Sequence, residues 1–118
     1  MPAPEHSDWP SHLDALFAAP AHHRLLFEND AVRVIETVIP PGETAPLHTH
    51  RWPGTMYLLS WSEIVRRDAF GTILMDSRTS SIKRAQDTIT WSPALAPHTL
   101  ENVGHATFHA VTTEIKHL

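Results

Sequence analysis

Apolar positions near the start of the chain recur at helical spacing: Leu13, Leu16 and Phe17 share one face of a segment bounded by Pro10 and Pro20. This predicts a short helix over 10–19, with Pro10 suited to the first turn and Pro20 ending it. Its apolar face is expected to lie across one end of a barrel. From His23 the pattern shortens to runs of alternating residues. Strands are predicted over 23–28 and 31–39, joined by the turn pair Asn29-Asp30. Val32 and Val34 alternate only imperfectly with Arg33 and Glu36, as expected where both faces are partly covered. Pro40-Pro41-Gly42 stops the second strand and opens the loop into a histidine pair. Further strands are predicted over 55–60, 63–67, 72–75, 81–84, 88–91, 98–103 and 107–116. Seven or more short strands separated by turn signals imply an all-β sandwich or barrel. The chain divides into a lead-in with its helix, 1–21, and a barrel domain, 22–118, without internal repeats or low-complexity linkers.

At 118 residues, one domain is expected, burying roughly two-thirds of its unfolded surface. A homodimer, which would bury more, is also expected. The net charge of −4 is mild and the basic residues are scattered, the longest run being Arg66-Arg67. Nucleic acid is therefore not an expected partner. Cysteine is absent, which removes disulfides, thiolate ligands and a cysteine nucleophile. The longest apolar stretch, 15–21, contains Pro20 and is far too short to cross a bilayer, so no membrane partner is expected. The polar, proline-rich first ten residues lack a secretory pattern, and a cytoplasmic location is expected.

The chemistry concentrates in histidine. Ten are present, so a bare His-x-His carries little weight alone. Here His48 and His50 follow Gly42 by six and eight positions, and Pro97-His98 is followed by Asn102. Residues two apart on a strand point to one face, so His48 and His50 can share one ion. One further histidine from another strand would complete three nitrogen ligands and leave an open position for chemistry.

These two blocks resemble the motifs of the small single-domain cupins. The first runs Gly, five residues, His-x-His, three or four residues, Glu, six residues, Gly. The second runs Gly, five residues, Pro-x-Gly, two residues, His, three residues, Asn. Gly42, His48 and His50 match the first; Pro93, His98 and Asn102 match the second. The resemblance covers about 22–116. It implies a double-stranded β-helix (jelly-roll) barrel, with His48, His50 and His98 as metal ligands and Asn102 fixing a turn. The family's glutamate falls at Gly54 or Thr55, and neither can bind as a carboxylate. Glycines usual in the second motif are replaced by Asp87 and Leu95. A three-histidine variant is implied, a type also found among metal-dependent cupin oxygenases.

Three neutral imidazoles leave a divalent ion its full charge, a strong Lewis acid for a carbonyl, enolate or water. Iron, zinc, manganese, nickel and copper all suit such donors. Strand parity places Trp52, Met56, Leu58, Ser60, Ile89, Trp91 and Leu100 around the ion and sends Tyr57 and Leu59 outward. His109 is a candidate fourth nitrogen or pocket residue. Glu63 and Glu101 are candidate replacement carboxylates, expected to point outward. His6, His12, His22, His23, His105, His117 and Arg51 are expected at the surface. Ligand histidines must be neutral, so metal affinity is expected to fall below roughly pH 6.5.

The implied function is a metal-dependent dioxygenase acting on a small organic molecule. The competing reading is a non-catalytic metal- or ligand-binding module. A metal-free acid–base barrel would need a pocket His–carboxylate pair, and none is identifiable from the sequence. No nucleophile elbow, phosphate loop or dinucleotide fingerprint is present.

Overall fold

The computed structural model describes residues 9–80 and 84–117. Among them nine strands form two antiparallel sheets. They are β1 (His23–Glu28), β2 (Val32–Ile39), β3 (Thr44–His50), β4 (Gly54–Ser60), β5 (Ile64–Asp68), β6 (Ile73–Asp76), β7 (Thr88–Ser92), β8 (Leu95–Asn102) and β9 (Phe108–Ile115). One sheet has the order β1-β2-β9-β4-β7, the other β3-β8-β5-β6. The predicted strand over 81–84 falls largely outside the described residues, and Arg84 is not in a strand.

The five-stranded sheet turns one buried row inward. On β2 every second residue is buried: Arg33, Ile35, Thr37 and Ile39. On β9 the buried residues are Phe108, Ala110 and Glu114. Direct pairs across these strands, Ile39 with Phe108 and Arg33 with Glu114, show that the interior changes character along its length. One end is apolar, where Ile39, Ala45, Leu58, Ile64, Phe108 and Ala110 form the core. The other end is polar and holds the site.

Asn102 closes the apolar end. Its Nδ2 donates to the carbonyls of Ile39 and Ala106, both at 2.8 Å, and its Oδ1 accepts from Ser62 Oγ at 2.7 Å and from the Gly104 amide. The Gly42 amide donates to the Asn102 carbonyl in turn. Gly42 sits at φ +83°, a conformation that costs side-chain-bearing residues energy and glycine little.

The N-terminal helix is shorter than predicted. A 3₁₀ turn, Ser11–Leu13, breaks at Asp14, and α1 (Ala15–Ala18) follows. Asp14 caps α1, accepting from the Leu16 amide at 3.2 Å. The break rotates the buried face: Ala15 and Ala19 are buried, whereas Phe17 is 73% exposed. Among the described residues no helix is long and apolar enough to cross a membrane.

Candidate metal centre

His48 and His98 lie directly across from each other on β3 and β8, and β3 is irregular on both sides of His48. Such bulges re-aim side chains at barrel rims. His48 and His50, two apart on the strand, have ring centroids 5.1 Å apart. His23, the first residue of β1, enters the same cluster, 4.6 Å from His48 and 5.4 Å from His50. The expectation that His23 is a surface residue is corrected: it is buried. Its neighbour His22 is also largely covered, and its Nε2 lies 2.9 Å from Glu43. The coordinating nitrogens of His23, His48 and His50 all lie within 4.8 Å of one another, a group that could hold a metal ion. His98 stands outside that group, packed on His48 at 4.3 Å and 5.9 Å from His50.

All four rings are tethered in the same way. Nδ1 of His48 meets the Pro46 carbonyl at 2.6 Å, that of His98 the Ala96 carbonyl at 2.7 Å, and that of His23 the Ala19 carbonyl at 3.1 Å. Nδ1 of His50 meets Glu114 Oε2 at 3.0 Å. A carbonyl can only accept, so Nδ1 of His23, His48 and His98 carries the proton and Nε2 the lone pair. This is the arrangement of metal-ligating histidines, whose second nitrogen is held by an oxygen. His48 Nε2 is buried without a hydrogen-bond partner. An orphaned buried lone pair is costly, and an ion at this position would satisfy it.

Burial also keeps the rings of His23, His48 and His98 neutral. It pushes His23 down to about 2, His98 to about 2 and His48 to about 3, with repulsion among the cluster adding to the shift. For His48 and His98 the proton competition expected near pH 6.5 therefore moves well into the acid range. Neutral, tethered imidazoles with free Nε2 atoms fit a divalent ion.

Glu114 is the carboxylate that sequence reasoning missed. It is fully buried, and its Oε1 accepts from Arg33 Nε at 3.0 Å while Oε2 holds His50. Arg33 reaches on to Asp14, with Nη2 2.8 Å from Oδ1. Burial opposes the Arg33 charge, but Asp14 and Glu114 outweigh it and hold its pKa above the ordinary value. An ordered line, Asp14–Arg33–Glu114–His50, thus runs from the cap of α1 to the cluster. The readable signal was parity, since Glu114 lies on the Phe108–Ala110 face of β9. The two carboxylates weighed from sequence are engaged elsewhere: Glu63 accepts from Ser77 Oγ at 2.6 Å, and Glu101 pairs with Arg67 at 2.7 Å.

A cavity of about 260 Å³ opens beside the cluster, with His23, His50, His98 and Glu114 in its wall. Trp52, Met56 and Leu100 line it, as parity predicted. Leu58 does not; it is buried in the core beneath. His109 is on the opposite face of β9, its Nε2 2.7 Å from Glu36, and is not a fourth ligand. The reading of β7 was one residue off. Met56 pairs with Thr90, so Thr90 faces the interior, while Ile89, opposite Tyr57, is 65% exposed. Trp91 borders the cavity but is 51% exposed and pairs with Thr55, on the outer face. His12, His105 and His117 are exposed.

No protein-family model and no curated protein matches the sequence. Solved structures do. A cupin domain from Bordetella pertussis is similar over 80% of this chain and 91% of its own, at 19% identity and a TM-score of 0.63. An RmlC-like cupin from Methanocaldococcus jannaschii, described as a double-stranded β-helix, is similar over 80% and 79%, at 14% identity and a TM-score of 0.57. The polyketide cyclase RemF from Streptomyces resistomycificus is similar over 79% of this chain and 63% of its own, at 16% identity and a TM-score of 0.51. The chain therefore has the cupin fold, a double-stranded β-helix barrel carrying a three-histidine group at its polar end.

Proposed function

We propose that this protein is a metal-dependent cupin enzyme acting on a small organic molecule, a dioxygenase in its first reading. The observation that carries it is the inward convergence of tethered, neutral histidines, with the buried His48 Nε2 left unpartnered beside an accessible cavity. A divalent ion held by imidazoles supplies Lewis-acid or oxygen chemistry. The chain's own residues do the rest. The carbonyls of Ala19, Pro46 and Ala96 fix three ring orientations, and Glu114 fixes the fourth. Trp52, Met56 and Leu100 supply an apolar wall that limits water. Iron, zinc, manganese, nickel and copper all suit these donors.

Metal content by mass spectrometry on wild type and a His48→Ala/His50→Ala variant tests this reading. About one equivalent in wild type, lost in the variant, is expected. With iron loaded anaerobically, diketone or catechol-like compounds should change the metal's absorption. No metal uptake from any of the five ions would overturn the reading.

The His50–Glu114 contact favours one second reading. It is the pocket His–carboxylate pair that a metal-free acid–base barrel requires. Substrate turnover that survives exhaustive chelation would select it.

A further inference from the structure

We infer that the cavity takes a small organic carboxylate, with the Arg66 guanidinium as its anion-binding partner. This deepens the proposed function by naming a substrate class, and rests on it only for the end of the molecule that would face the ion.

Arg66 lies mid-strand on β5, paired with Leu100 on β8 and with Met75 on β6. All three line the cavity. Directly opposed residues share a face, so Arg66 belongs to the row that lines the cavity and not to the row of Val65 and Arg67. Arg67 meets Glu101, and Arg24, Arg33 and Arg78 likewise each meet a carboxylate. Among the described residues none meets Arg66. Burial alone acts on it, lowering its pKa without an acidic neighbour to raise it again. Arg66 and His98 line the same cavity, which places the guanidinium beside the cluster.

A guanidinium does not shed its proton at ordinary pH, so a partly buried one must find a counter-charge. The cavity wall offers none. Glu114 is committed to Arg33 and His50, and the other cation in the wall, Arg84, donates to Thr90 Oγ1 at 3.0 Å. An ion at the histidines would add positive charge and deepen the imbalance. The complementary ligand is an anion. The remaining wall shapes its body: Trp52, Trp61, Met56, Met75 and Leu100 are apolar, and Thr37, Thr90 and Thr112 add hydroxyls among them. The planar fork of Arg66, facing a largely apolar wall, matches a carboxylate on an apolar or unsaturated frame.

The test titrates phenylacetate and 2-oxobutyrate, each beside its amide, with inorganic phosphate as a third probe. Tryptophan fluorescence and calorimetry report binding, on chelator-treated and on metal-loaded protein. At least one acid should bind about tenfold or more tightly than its amide in both forms. Arg66→Met should abolish that preference with metal content unchanged, and Arg66→Lys should retain part of it. Thermal midpoints should hold, because an unpaired cation is removed; Arg66→Gln serves if the Met variant does not fold. Equal binding of acid and amide, a preference surviving in Arg66→Met, phosphate outcompeting both acids, or no binding of either acid at millimolar concentration would each overturn the inference. An acid preference in protein that binds no metal would overturn the metal reading alone. Stoichiometric metal without an acid preference would overturn this inference alone.

Discussion

Glu114 Oε2 lies 3.0 Å from His50 Nδ1, while the other oxygen of the same carboxylate takes Arg33. One fully buried side chain thus orients a candidate ligand and neutralises a buried cation. Glu114→Ala would leave Arg33 with Asp14 alone and is expected to cost about 3–5 kcal/mol in urea denaturation, the range for breaking a buried ion pair. Glu114→Gln keeps the shape, but its amide group must meet a donor on one side. Metal affinity, read by competition with a chromophoric chelator, should fall about 10–100-fold. Unchanged affinity would show that His50 needs no such support.

Asp14 has two roles, and two substitutions separate them. Asp14→Ala removes both the cap of α1 and the Arg33 partner, whereas Asp14→Asn keeps the cap and removes the charge. The cap is worth about 1 kcal/mol. Asp14→Ala should therefore be less stable than Asp14→Asn by about that amount. Both should weaken metal binding less than Glu114→Gln, because Glu114 still holds His50. Denaturation curves and the same chelator competition check both statements.

Which histidine completes the site is open to direct measurement. His23 joins the nitrogen group and His98 packs beside it. His23→Ala should abolish stoichiometric metal, whereas His98→Ala should lower affinity and His105→Ala, an exposed control, should change nothing. Full metal content in His23→Ala with none in His98→Ala would restore the motif's own set of three.

Acid should weaken the metal-free protein through these rings. The folded-state values of His23, His48 and His98 lie well below their ordinary 6.5. The unfolded chain then binds more protons between those limits, so stability is whole above about pH 6.5 and drains away as pH falls below it. Each fully shifted histidine contributes a slope of about 1.4 kcal/mol per pH unit. Urea midpoints should be flat from pH 7 to 8 and drop below pH 6.5. A His48→Leu variant should show a shallower drop.

Much of the architecture was legible because strand periodicity and turn residues agree. The run 23–28 is a strand as read, and the parity of β4 holds as far as Leu58: Met56 and Leu58 turn inward and Tyr57 outward to Asp87, but a register shift beyond Leu58 pairs Ser60 with the outward His109. The histidine pair was legible because two-residue spacing on a strand is itself geometry. What escaped was polarity turned inside out. On β7 Thr90 faces the interior and Ile89 is exposed, while Trp91 reaches the cavity only at its rim, so hydrophobicity named the wrong face for Ile89. His23 was discounted beside His22, although only one of two adjacent strand residues can point inward, and here that one meets partners far along the chain. Glu114 was not singled out, because its counter-ion, Arg33, is distant in sequence.

One register pair constrains what this barrel could become. Gly54, one of the two positions at which the motif glutamate would fall, stands directly opposite Glu114. A Cβ on Gly54 would run into the Thr113 carbonyl and the Glu114 backbone. Gly54→Ala should therefore destabilise by about 4 kcal/mol or more, measured by denaturation. Shrinking Glu114 would not relieve the collision, because it is with the main chain of β9. The two positions behave as a ratchet on sequence change: reinstating the motif residue requires the strands to part first, so single substitutions leave the carboxylate stranded on β9.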